Sequence, residues 1–101
     1  MTTTVVVGPV AERELTEAID WYDRQKPGLG RRFGRELRQF LKAVAEKPER
    51  FRAVTRLTRK ARLPSWPYSV YFMLQEHPRQ MIVTAVWHDR RDPTQLRQRL
   101  R

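Results

Sequence analysis

One histidine and two groups of cations are the side chains of this sequence best suited to chemistry. His88 is followed closely by Arg90 and Arg91. A neutral imidazole exchanges protons near pH 7, and guanidinium groups bind phosphate oxygens through paired hydrogen bonds. The second group of cations lies upstream and consists of Arg59, Lys60 and Arg62. These residue types suit a partner that carries phosphates or other anionic groups.

The sequence does not place a second acid or base beside His88. Glu76 falls in a turn, and Asp89 is equally suited to pairing with a neighbouring arginine. A strand-end histidine bonded to the backbone explains His88 as well as a catalytic one does. His77 and His88 are eleven residues apart and the chain has no cysteine, so we expect no metal site, no thiolate nucleophile and no cofactor.

Two strand-like runs deliver His88 to an exposed position. In the first run Val70, Phe72 and Leu74 alternate with Ser69, Tyr71 and Met73. The second run, Met81–Trp87, is rich in β-branched and aromatic residues. Between them, Glu76–Arg79 contains Pro78, which fixes its own φ angle and cannot donate to a sheet. The pattern predicts an antiparallel hairpin that exits at His88.

Two amphipathic helices precede this hairpin. The first has apolar residues at intervals of three and four from Ala11 to Tyr22 and ends before Pro27, and the second begins near Leu29 and stops before Pro48. Thr2–Val7 is predicted as a first strand. A weaker alternation over residues 54–63 predicts another strand, and Pro93–Leu100 is predicted to form a helical turn or to fray.

These elements predict a single α+β domain over residues 1–101. Its order is strand, helix, helix and then three strands, and an antiparallel four-stranded sheet is packed against an N-terminal helical hairpin. No run of about 18 apolar residues occurs, and the N-terminus lacks the basic segment of a signal peptide. We therefore expect a cytoplasmic protein with no membrane partner.

The charge of the chain is strongly positive and uneven. Lys and Arg number 21 against 11 Asp and Glu, which gives a formal charge of +10. Residues 56–101 hold ten basic and three acidic side chains, a balance of +7. Such a field attracts anionic partners at long range, although a solvated, solubilising surface accounts for it equally well.

Several short segments, in order across nearly the whole chain, carry a resemblance to a known family, and these are Ala18–Tyr22, Pro27–Gly30 with Phe33, Lys47–Phe51, Trp66–Tyr71, Ala85–Val86 and His88–Pro93. The resemblance is to the RelE/ParE superfamily of toxins from bacterial type II toxin–antitoxin modules, in its ParE-like, plasmid-stabilisation branch. It implies the predicted fold and a cognate antitoxin that wraps the toxin with an acidic or amphipathic segment.

The ParE-like branch implies a non-enzymatic poison that binds DNA gyrase and blocks replication. On that interpretation the target-binding residues are cations of the sheet and tail together with the histidine, namely Arg59, Lys60, Arg62, His88, Arg90, Arg91 and Arg97. The arginine-rich tail after Pro93 is then expected to be removable without unfolding the domain.

Two alternatives remain open on the same residues. The RelE-like branch implies a ribosome-dependent endoribonuclease that cleaves mRNA, with His88 as acid or base and Arg59, Arg62 and Arg90 on the phosphate. That chemistry needs one group to take a proton and another to give one. A third possibility is a member of the superfamily that has lost toxicity and persists as a binding protein.

Overall fold

The computed structural model describes residues 3–100. In chain order its elements are β1 (Thr4–Val7), α1 (Pro9–Gln25), α2 (Leu29–Glu46), a 3-10 turn (Pro48–Arg50), β2 (Arg59–Arg62), β3 (Tyr68–Gln75), β4 (Gln80–His88) and α3 (Pro93–Arg99). The predicted α+β class and the order of strand, helix, helix and three strands are confirmed. The tail forms a third helix.

The sheet is mixed, so the prediction of a purely antiparallel sheet was wrong. Its strand order is β1-β4-β3-β2; β3 is antiparallel to both β2 and β4, whereas β1 pairs with β4 in parallel. A short turn forces consecutive strands to run antiparallel. Two helices and the strands β2 and β3 lie between β1 and β4 in the chain, so no local pattern fixes their relative direction.

A β-bulge in β4 separates two stretches of regular pairing. Tyr71 lies opposite Ala85, and Phe72 lies opposite Val83, so Thr84 is the extra residue. A bulge leaves one residue outside the ladder and increases the local twist. As a result, the half of β4 that follows Thr84 is twisted relative to the half that pairs with β1.

The sheet is covered on both faces. The main core lies between one face and the α1–α2 hairpin, and its largest fully buried side chains include Leu15, Phe33, Leu37 and Phe72. Burying such a side chain stabilises the fold by about 1.5–3 kcal/mol. On the other face, Leu96 of α3 packs in a separate cluster whose remaining buried members are Tyr71, Ala85 and Trp87. The tail is therefore part of the folded domain.

The predicted strand over residues 54–63 is shorter than expected. Only Arg59–Arg62 forms β2, because the Thr55 hydroxyl accepts hydrogen bonds from the backbone amides of Leu57 and Thr58, at 3.3 and 3.1 Å. A threonine side chain that bonds nearby amides replaces strand pairing with a local turn. The turn leaves Leu57 64% exposed.

Two glycines allow α1 and α2 to lie against each other. A Cβ atom on Gly30 would lie 2.1 Å from the backbone oxygen of Ile19, and the Gly30 amide donates to Asp23 Oδ1 at 2.7 Å. A Cβ on Gly34 would meet only the end of the Ile19 side chain, at 2.9 Å. Of the two glycines, Gly30 is therefore the one that lies directly against the backbone of α1.

Gly30→Ala is expected to lower the free energy of unfolding by about 1–3 kcal/mol, because the added methyl group meets backbone that cannot move without separating the helices. Gly34→Ala is the matched control. Its methyl group displaces only a flexible side-chain end, and the gain of about 1 kcal/mol in helix propensity offsets that contact. Urea unfolding of both variants measures the difference. Equal effects would show that the approach at Gly30 does not limit the hairpin.

Candidate functional site

A buried carboxylate organises the region where β4 ends and α3 begins. Glu14 lies on α1 with 8% of its side chain exposed. Its Oε1 atom accepts from the Val86 amide at 3.0 Å and from Arg99 Nη2 at 3.0 Å. Its Oε2 atom accepts from Arg91 Nη1 at 2.8 Å and from Arg99 Nη1 at 2.9 Å. One carboxylate thus joins α1, β4, the following turn and α3.

Opposing effects set the pKa of Glu14. Burial raises the pKa, but the hydrogen bonds from Arg99, Val86 and Arg91 and the charge of Arg99 together lower it below its ordinary value. Glu14 is therefore ionised at neutral pH, and the two arginines neutralise its charge.

The same arginines stack on Trp87 and reach the bulge. The guanidinium carbon of Arg91 lies 3.8 Å from a Trp87 ring centroid and that of Arg99 lies 5.5 Å away. Arg99 Nη2 also donates to the carbonyl oxygen of Thr84 at 2.7 Å, so the residue outside the ladder has a partner. We call Glu14, Arg91, Arg99 and Trp87 the tail clamp, because these contacts hold α3 on the sheet.

His88 lies at the end of β4 and is half-buried. Its ring meets the ring of Tyr68 edge to face, with centroids 4.9 Å apart. The Arg90 amide donates to His88 Nδ1 at 3.0 Å, so the neutral ring carries its proton on Nε2. Glu17 lines the same cleft of about 220 Å³ but does not hydrogen-bond to the histidine. The strand-end interpretation of His88 matches these contacts.

Three of the predicted cations are engaged within the fold. Arg59 Nη1 donates to the carbonyl oxygens of Glu49 and Phe51 at 3.3 and 2.7 Å. Arg62 Nη2 pairs with Asp89 Oδ2 at 2.7 Å, which ties β2 to the turn after β4. The third is Arg91 of the tail clamp. In the pairing of β2 with β3, Arg59 lies opposite Phe72 and Arg62 lies opposite Ser69. The two arginines are three residues apart, which is about 10 Å along a strand.

The other predicted cations remain accessible. Lys60 Nζ lies 5.9 Å from the Tyr71 ring centroid. Arg97 is exposed, with one long bond of 3.4 Å to Thr94 Oγ1. Arg90 is exposed, and within residues 3–100 its side chain has no hydrogen bond or ion pair. The structure thus gathers Arg62, His88, Arg90 and Arg91 near one end of the sheet and leaves Arg59 apart.

Sequence reasoning missed Glu14 and Arg99 as central residues. The signal that identifies Glu14 is its place in the apolar stripe of α1, three residues after Ala11 and four before Ala18. A carboxylate at such a position needs cationic partners, and Arg91 and Arg99 supply them.

Within the described part of the chain, no three His, Cys, Asp or Glu residues are grouped so as to hold a metal ion. None of its helices combines the length and apolar composition required to cross a bilayer.

Comparison with known proteins identifies the family. The family described as ParE toxin of type II toxin-antitoxin system, parDE, matches residues 5–93. The chain belongs to this toxin family. Toxin RelE1 of Caulobacter vibrioides is 30% identical to it over 88 residues, which cover 87% of this chain and 95% of that protein.

A solved structure also resembles this toxin. A chain of the chromosomal ParDE TA system from P. aeruginosa matches it with a TM-score of 0.75 and 13% identity, over 86% of this chain and 96% of that one. The likeness supports the fold. The names of these relatives come from both branches of the superfamily, so the toxin class is established and the choice of target needs a separate argument.

Glu14→Gln is expected to lower the free energy of unfolding at pH 7 by about 1–3 kcal/mol, because a neutral amide cannot serve two guanidinium groups. In the wild type the lowered pKa of Glu14 adds stability that is present above its unfolded-state pKa and is lost as pH falls through the folded-state value. Urea unfolding between pH 3 and pH 7 measures both effects.

Glu17→Gln is the matched control for this prediction, since Glu17 is an exposed glutamate on the same helix. The difference between wild type and Glu14→Gln is expected to shrink towards acid pH, whereas the control remains close to wild type throughout. A constant difference across the whole range would contradict a stabilising role for the ionised carboxylate.

Proposed function

We propose that this toxin inhibits DNA gyrase as a ParE-like poison, acts in the cytoplasm and makes or breaks no bond with its own side chains. The observation that supports this best is the state of His88. The lone pair on Nδ1 is taken by the Arg90 amide, and Nε2 carries the proton. A general base needs a free lone pair within reach of the substrate proton.

Two of the carboxylates near the histidine are committed elsewhere. Asp89 is paired with Arg62, and both oxygens of Glu14 are occupied by the tail clamp. Cleavage of RNA by its own 2′-hydroxyl would draw on an acid and a base, each worth about 100- to 10,000-fold in rate. The arrangement favours binding over acid–base catalysis.

The surface left for target binding consists of three accessible cations. Lys60, Arg90 and Arg97 lie on β2, in the turn after β4 and on α3. An exposed charge contributes little to folding, so these side chains can be changed with small effects on stability, about 0.5 kcal/mol or less. Truncation after Pro93 is a poorer test than the sequence indicated, because it removes Leu96 from a buried cluster and Arg99 from Glu14.

A variant with Lys60, Arg90 and Arg97 all changed to Gln is expected to lose most of its inhibition of gyrase supercoiling while unfolding at the wild-type temperature. His88→Ala is expected to retain inhibition within a few-fold. Purified proteins are compared in supercoiling and DNA-cleavage assays with gyrase, beside a ribosome-dependent mRNA cleavage assay.

The matched control for the triple variant changes Arg13, Arg24 and Arg52 to Gln, which removes the same charge from other exposed positions. Activity only on ribosomal mRNA that His88→Ala abolishes would establish the ribonuclease alternative. A wild-type protein that neither inhibits gyrase nor cleaves ribosomal mRNA would favour the non-toxic alternative.

We further propose that a cognate antitoxin, encoded beside the toxin gene, docks on a groove between the loop before β2 and α3. The groove has a volume of about 500 Å³ and is lined by Val54, Leu57 and Leu100 with Arg56 and Arg97, and no acidic residue lines it. Exposed apolar side chains bordered by cations complement an amphipathic, acidic segment. This assignment gives a role to Leu57, an apolar side chain that the fold leaves in water.

Leu57→Ser is expected to speed dissociation of the antitoxin, because it removes an apolar anchor. Arg56→Gln with Arg97→Gln is expected mainly to slow association and to weaken its salt dependence, since charge complementarity steers encounter. Surface plasmon resonance with the co-expressed product of the neighbouring small gene measures both rates. Wild-type rates in both variants would place the antitoxin on another surface.

A further inference from the structure

The solvent side of α2 carries a straight stripe of cations. Arg31, Arg35, Arg38 and Lys42 follow one another at intervals of four, three and four residues, which places them on one face of the helix. At 1.5 Å per residue the stripe is about 16 Å long. These four side chains border a groove of about 450 Å³ at the seam between α1 and α2, beside Ile19 and Gln39.

Most of this charge is not neutralised by the protein. Arg38 has one partner, Glu12, at 3.3 Å, and both side chains are about half exposed. Arg31, Arg35 and Lys42 are exposed and form no ion pair within residues 3–100. No acidic residue lines the groove. Four like charges on one helix face repel one another, and an external polyanion removes that repulsion.

The stripe is separate from the surface proposed for gyrase and the antitoxin. The helical hairpin covers one face of the sheet, α3 packs on the other face, and the tail clamp joins α1 to α3 at the end of β4. Most of the excess positive charge of the sequence lies in residues 56–101. The α2 helix lies outside that range and also has an excess, with five cations against two acids.

We propose that the α2 stripe binds the phosphate backbone of a nucleic-acid duplex. Along one DNA strand a phosphate occurs every 3.4 Å or so of helix axis, so a stripe about 16 Å long spans about five phosphates. Arginine and lysine contacts to phosphate fix position on a duplex without reading its sequence.

The composition of the groove favours a duplex over other polyanions. Proteins that hold single strands stack the bases on aromatic side chains, and the groove has none. A docked acidic peptide helix needs apolar pockets for its anchors, and Ile19 is the sole large apolar side chain among the lining residues. A groove with cations on a rigid helix and few apolar contacts matches a backbone of regularly spaced charges.

The test is fluorescence anisotropy of a 20-base-pair DNA duplex with the purified full chain at several salt concentrations. A variant with Arg31, Arg35 and Lys42 changed to Gln is expected to bind on the order of 100-fold more weakly at 0.1 M salt. The slope of log K against log salt concentration is expected to fall by about 3. The control with Arg13, Arg24 and Arg52 changed to Gln is expected to stay within a few-fold of wild type.

Three results would overturn the proposal. Equal losses in the stripe variant and the control would mean that net charge alone attracts DNA. A single strand of the same length that binds as tightly as the duplex, with the same loss in the stripe variant, would contradict the duplex. Poly-glutamate that binds the stripe more tightly than the duplex would assign it to an acidic protein. Gyrase is absent from these measurements, so their outcome is independent of the supercoiling assay.

Discussion

The buried Glu14 carboxylate is the constraint on which the arrangement of the tail depends. Moving an ionised carboxylate out of water is unfavourable by several kcal/mol unless cations and donors surround it. Here Arg91, Arg99 and the Val86 amide supply them. The requirement holds the turn after β4 close to α1 and lays α3 over the outer face of the sheet, where Leu96 completes a second apolar cluster.

That constraint divides the cations into two groups with different roles. Arg59, Arg62, Arg91 and Arg99 have partners within the protein, and their charge is largely used in holding elements together. Lys60, Arg90 and Arg97 on the sheet side and the stripe on α2 remain available to external anions. The formal charge of +10 therefore overstates the number of cations that are free to meet an external anion.

The elements of the fold could be predicted from the sequence because each has a local signal. The apolar periods of α1 and α2, the alternation in β3 and the turn at Glu76–Arg79 depend on residues a few positions apart. The parallel pairing of β1 with β4 could not be predicted, since the two strands are separated in the chain by two helices and two strands. The hydroxyl of Thr55 shortens β2 through hydrogen bonds that the residue type alone does not reveal.

The candidate site was harder to predict for a different physical reason. A list of arginines gives the charge of a region but not the acid that each arginine meets, and Glu14 lies 77 and 85 positions from its two partners. The same limit applies to His88, because its Nδ1 atom accepts a hydrogen bond from a backbone amide two residues away. A general base needs a free lone pair for the proton of its substrate, and here the local turn occupies the lone pair on Nδ1. Partners that lie far apart in the sequence, such as the two arginines of Glu14, meet only when the chain has folded, so the types of the residues do not identify them beforehand.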